Sequence, residues 1–256
     1  MKHKIILASS TGDRLLGLLK QLSPLLNQQS TKILSSLILD EVFDYAVLSD
    51  VKKRYARSID ELVNKIEFEL NLAREGNNLG YQYEAGNHIN DLKGLRSAST
   101  VSDLMILGNQ QDFDCELVKK MMDHMHCPML ILPKNFEMDC LLMAHDASQS
   151  SVRMVKHFLN LFSKEFRKSP FSALMTEPLS EEEIQNEKIF INYMKLFFPD
   201  IGVQVMYEGF DQGLMQFVQH AGESPFLMMD WSICTDSLIH QFQKMEREIP
   251  IFIYQG

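Results

Sequence analysis

The chain carries one pattern of strand, helix and strand twice, and this repeat most constrains its fold. In the first copy two apolar runs, Leu104–Leu107 and Met129–Leu132, flank a segment with apolar residues at helical spacing. The second copy, with runs at 225–230 and 249–254, follows without a gap in the alignment. Short runs that are apolar throughout are typical of strands buried on both faces of a parallel sheet. The chain is therefore predicted to be a tandem repeat of crossover units.

Weaker patterns extend each copy in the same order of strands and helices. Capping boxes at Ser58 and Ser180 each predict the start of a long helix, the second carrying Ile184, Ile191, Met194 and Phe198. We predict an α/β fold of two doubly wound domains, residues 1–135 and 136–256, each with a five-stranded parallel sheet and about four helices. Further strands are expected at Lys4–Ser9, Ile33–Leu39, Tyr81–Ala85, Cys140–His145, Phe171–Met175 and Val203–Tyr207.

Composition and charge exclude several classes of function. The 256 residues include 45% hydrophobic and 23% charged residues, which is ordinary for a globular protein. A net charge of −9 without a basic cluster argues against nucleic-acid binding. No apolar run reaches membrane-spanning length, and the first apolar run is too short for a signal peptide, so we expect a cytoplasmic protein without membrane contact. The four cysteines show no Cys-x-x-Cys spacing and are expected to be reduced.

The order of these elements resembles that of the universal stress protein family in its tandem form, over nearly the whole chain. Leu141–Ser148 is similar to the family's first strand with its Asp-x-Ser turn, and Glu208-Gly209 to the pair that closes the third strand. Asp103–Gly108 and His126–Leu132 resemble the fourth and fifth strands. The resemblance implies a strand order of 3-2-1-4-5 in each half.

The resemblance also locates a motif that this chain lacks. Family members that bind ATP carry Gly-x2-Gly-x9-Gly-Ser/Thr after the fourth strand, where glycines let backbone N–H groups surround the phosphates. Counted from Gly108 or from the aligned Asp230, the later positions of the motif are not glycine or a hydroxyl residue. Those positions hold Gln111, Met121 and Met122 in the first half and Ile233, Gln243 and Lys244 in the second. The interval after Gly108 is also about six residues shorter than the motif requires.

Candidate binding residues remain at the crevice where the first and fourth strands of each half end, the usual ligand position in open α/β sheets. Asp146 and Asp230 are predicted to lie near each other, where they would repel a triphosphate unless a divalent cation bridged them. We therefore expect no cofactor. The candidates are Ser9, Ser10, Thr11, Gly108 and Asn109 in the first half and Asp146, Ser148 and Asp230 in the second.

A second cluster, His124, His126 and Cys127, contains ligands that suit zinc or copper. The alternative, which we favour, is that the histidines interact with the last carbonyls of a helix and that Cys127 is a buried apolar residue. No metal site is expected. No catalytic residue is predicted either, because the sequence has no Gly-x-Ser-x-Gly elbow and no nucleophile that can be paired with a base.

These observations predict a non-enzymatic binding or regulatory protein of the stress response, without the family's usual ATP site. Its partner would be an unknown protein or small molecule. The alternative is a protein that binds or slowly hydrolyses ATP or AMP through an unusual loop at Gly108, Asn109 and Ser9. In the strand order that the resemblance implies, the last strands, Met129–Leu132 and Ile251–Tyr254, would be sheet edges, although both are apolar and would need a cover. We expect them to pair as a dimer-like unit within one chain, and homo-oligomers remain open.

Overall fold

The structure is a computed structural model that describes residues 2–9, 18, 25–26, 31–38, 81–83, 92–108, 115–133, 138–176, 180–206, 209–220, 224–245 and 248–256. Its main element is one sheet of ten strands. The strands are β1 Lys2–Ser9, β2 Thr31–Ile38, β3 Tyr81–Tyr83, β4 Leu104–Gly108, β5 Met129–Leu132, β6 Cys140–His145, β7 Phe171–Thr176, β8 Ile201–Met206, β9 Pro225–Asp230 and β10 Ile251–Tyr254. The expected α/β fold with a mostly parallel sheet is confirmed.

The order across the sheet is β3-β2-β1-β4-β5-β10-β9-β6-β7-β8. Neighbouring strands are parallel everywhere except at the centre, where β5 and β10 run antiparallel. Strands β1 to β5 thus follow the order 3-2-1-4-5, and β6 to β10 follow it in mirror sequence. The first and fourth strands of each half lie side by side, which places their carboxyl ends together.

The central antiparallel pair joins the two halves. Leu130 of β5 lies opposite Phe252 of β10, with Ile131 opposite Ile251 and Met129 opposite Ile253. All three pairs are buried, so neither apolar strand is an open edge. The predicted pairing of the two final strands is confirmed.

The alternation of side chains along each strand builds one core on each face of the sheet. In β4 and β5, Leu104, Ile106 and Leu130 face the first core, while Met105 and Met129 face the second. Both cores contain residues from both halves, because the sheet continues through the β5–β10 pair. The first core is rich in phenylalanine, and the second in methionine.

Six α-helices cover the sheet in the described ranges. The helix Gln149–Leu161 is capped by Ser148, whose side chain accepts a hydrogen bond from Ser151 N. The helix Glu181–Met194 is capped by Ser180, whose side chain accepts one from Glu183 N, as its capping box predicts. The helices are α1 Leu92–Thr100, α2 Cys115–His124, α3 Gln149–Leu161, α4 Glu181–Met194, α5 Phe210–His220 and α6 Asp236–Lys244. None of them is both long and apolar enough to cross a membrane.

The prediction for α4 was wrong in two respects. Ile184 does not face the core but is exposed, and the helix ends at Met194, before Phe198. The buried residues of the helix are Phe190 and Met194. The first nine residues of α4 are mostly exposed, because only its last turns pack on the sheet. The sequence of strand β8 also predicts alternation between a buried and an exposed face, but three consecutive residues, 202–204, are exposed.

Several predictions fall outside the described residues. They include the first capping box at Ser58 and the helix that it predicts. Of the candidate site residues, Ser10, Thr11 and Asn109 lie outside as well. The division into domains 1–135 and 136–256 stays a prediction.

Candidate functional site

The second-half crevice lies where β6 and β9 end. These strands pair from Cys140 opposite Pro225 to Ala144 opposite Met229, so the next residues, His145 and Asp230, end the two strands side by side. The first turn of α3 follows β6 directly and covers this edge. The register thus places Asp230 and the residue before Asp146 at the carboxyl ends of neighbouring strands.

Asp230 is buried, with 4% of its surface exposed, and its carboxylate accepts hydrogen bonds from both sides. Ser150 Oγ, on the first turn of α3, donates to Oδ2. Ser232 donates to Oδ1 twice, from its backbone N at 2.9 Å and from its Oγ at 2.6 Å. Asp230 also caps the 3₁₀ turn Trp231–Ile233. Its charge is therefore held by three donors of the protein itself.

Asp146 is held by the same helix turn through different residues. Its Oδ1 accepts from Ser148 N at 2.9 Å and from Ser151 Oγ at 2.9 Å. Burial acts to raise the pKa of Asp146, but these hydrogen bonds favour the charged form and bring its pKa below the ordinary value. Ser148, the third second-half candidate, has its hydroxyl engaged as the cap of α3. Adjacent serines, Ser150 and Ser151, thus bind the two carboxylates.

The two carboxylates occupy the position where a parallel α/β fold normally binds anions. The N-terminus of a helix favours negative charge, because its first N–H groups have no partner within the helix and its dipole is positive there. Here Asp230 accepts a hydrogen bond from Ser150, the second residue of α3. Asp146 accepts hydrogen bonds from the cap residue Ser148 and from the third residue, Ser151. The protein thus supplies its own anions at this helix end.

His145 is a residue of this crevice that sequence analysis did not single out. Its ring is buried beside Phe190, with ring centroids 4.6 Å apart, and its Nδ1 accepts a hydrogen bond from Ala147 N at 3.0 Å. Ala147 adopts a left-handed φ of 55°. Burial lowers the pKa of His145 to about 4, so the ring is neutral near pH 7. Its Nε2 has no hydrogen-bond partner among the residues that the structure describes.

The residues after β10 close the crevice from another side. Gly256 lies against Ser150, so closely that a Cβ at this position would overlap Ser150 Oγ. The amide of Gln255, with its nitrogen turned toward α2, donates to Met122 O at 2.7 Å and to Met125 O at 3.2 Å. The segment is thereby tied to the first half while it covers the second. Tyr254 pairs with Asp230 in the sheet, and burial raises the pKa of its hydroxyl.

The corresponding first-half crevice is described only in part. Register brings Ser9 and Gly108 together, because Ala8 lies opposite Leu107 one residue earlier. The side chain of Leu18 packs directly on Gly108, with its two methyl carbons 3.0 and 3.1 Å from the position that a Cβ would take. An apolar side chain therefore covers the glycine that the sequence places at the start of the motif.

The residues of the candidate metal cluster have separate partners. His124 Nδ1 lies 2.8 Å from Lys120 O in the last turn of α2, and Arg96 Nε donates to His126 Nε2 at 3.4 Å. Cys127 is buried, and burial raises the pKa of its thiol to about 12. Within the described ranges no three metal-binding side chains of His, Cys, Asp or Glu form a group.

Comparison with known proteins identifies the fold. No protein-family model and no curated protein matches the sequence. The structure of a universal stress protein from Archaeoglobus fulgidus matches with a TM-score of 0.62 at 12% identity, over 99% of this chain and 96% of that one. The fold is that of a universal stress protein. At this level of identity the likeness concerns the fold alone.

Two further solved structures share the fold. One is the protein PA1789 of Pseudomonas aeruginosa, described as functionally unknown, with a TM-score of 0.58 at 9% identity over 99% of this chain and 92% of that one. The other is the cytoplasmic domain of a prokaryotic cation chloride cotransporter, with a TM-score of 0.54 at 10% identity over 99% and 95%. The universal stress protein fold therefore occurs in proteins with different descriptions.

Proposed function

We propose that this chain is a tandem universal stress protein that works without the family's usual ATP site, as a non-enzymatic binding or regulatory module of the stress response in the cytoplasm. In this proposal residues 1–135 and 136–256 are its two repeats, joined through β5 and β10. Its partner is a protein or a small molecule.

The observation that carries the proposal is the carboxylate of Asp230. It aligns with Gly108 in the repeat and lies at the N-terminus of α3, where a bound phosphate would need hydrogen-bond donors. The hydroxyls of Ser150 and Ser232 and the N–H of Ser232 already bind this carboxylate. A triphosphate would have to displace a buried anion or lie beside it, and like charges at close range are strongly unfavourable.

The first half supports the same conclusion through a different contact. Phosphate binding by a glycine loop requires the backbone to approach the ligand closely. A side chain of another residue that packs over the glycine prevents this approach. Leu18 covers Gly108 in this way. The nucleotide alternative, built on Gly108, Asn109 and Ser9, would need Leu18 to move away, although the strand register does place Ser9 beside Gly108.

Isothermal titration with ATP, ADP and AMP, with and without magnesium, tests the proposal. We expect no binding tighter than about millimolar, because a 10 μM site needs nearly 7 kcal/mol, more than these residues provide without a charged clamp. A stoichiometric micromolar isotherm would favour the nucleotide alternative instead. Asp230→Asn, which removes the charge, should strengthen any weak nucleotide binding, while Asp200→Asn on the exposed surface should leave it unchanged.

A further inference from the structure

The ring of His145 makes a contact that exists in one protonation state only. Its Nδ1 accepts a hydrogen bond from Ala147 N at 3.0 Å, so the proton of the neutral ring is on Nε2. A protonated ring carries hydrogens on both nitrogens and cannot accept this bond. Protonation of His145 therefore removes the acceptor on which Ala147 N depends.

This bond holds a turn whose backbone conformation is unfavourable. The β6–α3 turn, residues Asp146–Ser148, links the end of β6 to the cap of α3. At its middle residue, Ala147, φ is 55°, in the left-handed region that residues with a Cβ rarely adopt. Such a conformation persists only where the surrounding contacts impose it. Loss of the acceptor on His145 thus removes one of the contacts that keep the turn closed.

A protonated ring is also unfavourable in the closed crevice because of its burial. His145 is 1% exposed, and the ring of Phe190 on α4 packs against it. Its Nε2 has no hydrogen-bond partner within the described ranges even in the neutral ring. An imidazolium in this place would bring a positive charge and a second N–H group without an acceptor, and burial of an unpaired charge is strongly unfavourable.

The next residue, Asp146, opposes this penalty only in part. Its negative charge acts to raise the pKa of His145, but burial of the ring outweighs it and lowers the pKa to about 4. The carboxylate accepts hydrogen bonds from Ser148 N and Ser151 Oγ, both at 2.9 Å. A movement of the carboxylate toward an imidazolium would break these bonds, and it would therefore loosen the turn as well.

The other elements around the ring provide no acceptor for an imidazolium. On β7 the uncharged Met175 lies opposite His145. Asp230, which ends β9 beside His145, has its carboxylate bound by donors from α3 and from the 3₁₀ turn. On α4, Glu187 lies one turn before Phe190, and burial raises the pKa of its carboxyl. Neither carboxylate binds Nε2 of His145.

We propose that protonation of His145 opens the β6–α3 turn, so that the second-half crevice is an acid-sensitive switch. When the turn opens, Ser148 no longer caps α3, and Ser150 on the first turn of α3 no longer holds Asp230. The carboxylates of the crevice and the first N–H groups of α3 then become accessible together. The switch is independent of which partner the protein binds.

Hydrogen exchange, measured by NMR at several pH values, tests the switch. The pKa of His145 is about 4 in the closed turn, and the ordinary value of 6.5 applies once the ring is in water. Opening should therefore be about 20-fold more favourable at pH 5 than at pH 7. The protection of the Ala147 and Ser148 amides, corrected for the intrinsic pH dependence of exchange, should fall by this factor. The cap of α6, where Leu238 N donates to Thr235 Oγ1, should keep its protection.

The variant His145→Asn separates the hydrogen bond from the titration. Its Oδ1 takes the place of Nδ1 as the acceptor for Ala147 N but does not titrate, so the protection of the turn at pH 5 should stay within about twofold of that at pH 7. The matched control His240→Asn, at an exposed position of α6, should keep the full response to pH.

Three results would overturn the proposal. The first is a wild type whose turn keeps its protection at pH 5, and the second is a His145→Asn protein that still responds to pH. The third is an equal loss at the cap of α6, because the whole chain then opens rather than the turn. If His145→Asn does not fold, NMR of the His145 ring in the wild type decides. The ring should gain its proton as the turn loses protection, and a ring that becomes protonated in a fully protected turn refutes the switch.

Discussion

The pairing of β5 with β10 implies that the two halves share their cores, and Phe252→Ala on β10 tests this. Phe252 is fully buried opposite Leu130 of the first half. Its ring meets Phe162 edge-on at 5.6 Å and Phe158 at 6.0 Å, both on or just after α3. The change therefore removes a side chain at the contact of both halves.

The expected loss follows from these contacts. Truncation of a buried phenylalanine to alanine costs about 3 to 5 kcal/mol, since it removes apolar contacts and leaves a cavity. Edge-to-face pairs contribute about 0.5 to 1.5 kcal/mol beyond burial, and Phe252 makes two. We expect the free energy of unfolding to fall by about 4 kcal/mol. The exposed control Val101→Ala should change it by less than about 0.5 kcal/mol.

Urea unfolding, followed by two probes, measures this loss and shows whether both halves unfold together. Fluorescence of Trp231, the single tryptophan, reports on the second half, and far-UV circular dichroism reports on both. Coincident transitions that move together in Phe252→Ala would show one cooperative unit. A loss below about 1.5 kcal/mol would contradict the described packing of the ring. A circular dichroism curve that splits, with one part unaffected by the change, would refute the shared core.

Three further predictions concern single residues. Ser180→Ala should lower the free energy of unfolding by about 1 kcal/mol in urea denaturation, because Glu183 N loses its cap. Since burial lowers the pKa of His145 to about 4 from 6.5, the unfolded chain binds more protons between these values. The free energy of unfolding should therefore lose nothing to His145 above pH 6.5 and should fall by up to about 3 kcal/mol toward pH 4. In urea titrations at each pH, His145→Gln should remove this part of the pH dependence. Burial raises the pKa of the Cys127 and Cys234 thiols to about 12, so mass spectrometry should find both unmodified after brief native alkylation at pH 8.

The sequence was sufficient for the elements whose signal is local. The strands Met129–Leu132, Cys140–His145 and Pro225–Asp230 have the bounds that the sequence predicts, because strands buried on both faces are apolar along most of their length and are bounded by turn residues. The cap at Ser180 was also predicted, since its partner is three residues away. The pairing of β5 with β10 was predicted from the strand order that the family resemblance implies, because that order makes both apolar strands edges that need a cover.

Helix α4 shows what local sequence patterns do not predict. Its periodicity is weak because apolar residues lie on two sides, with Phe190 toward the sheet and Ile189 toward the outside. Periodicity identifies a stripe of apolar residues but does not determine how much of a helix packs on the sheet. Ile184 was therefore assigned to the core, although the part of the helix that carries it extends beyond the packed turns.

The contacts that the crevice residues make within the chain depend on the tertiary structure alone. The alignment of the repeat placed Asp230 beside the end of β6, but its binding by Ser150, the cover of Leu18 on Gly108 and the position of Gly256 join residues that are far apart in sequence. Such contacts depend on how strands order and helices dock, so no local pattern records them. The sequence determined that glycines and hydroxyls of a phosphate loop are missing. Only the fold showed that a carboxylate and a leucine lie in the two crevices, because only packing brings their surroundings together.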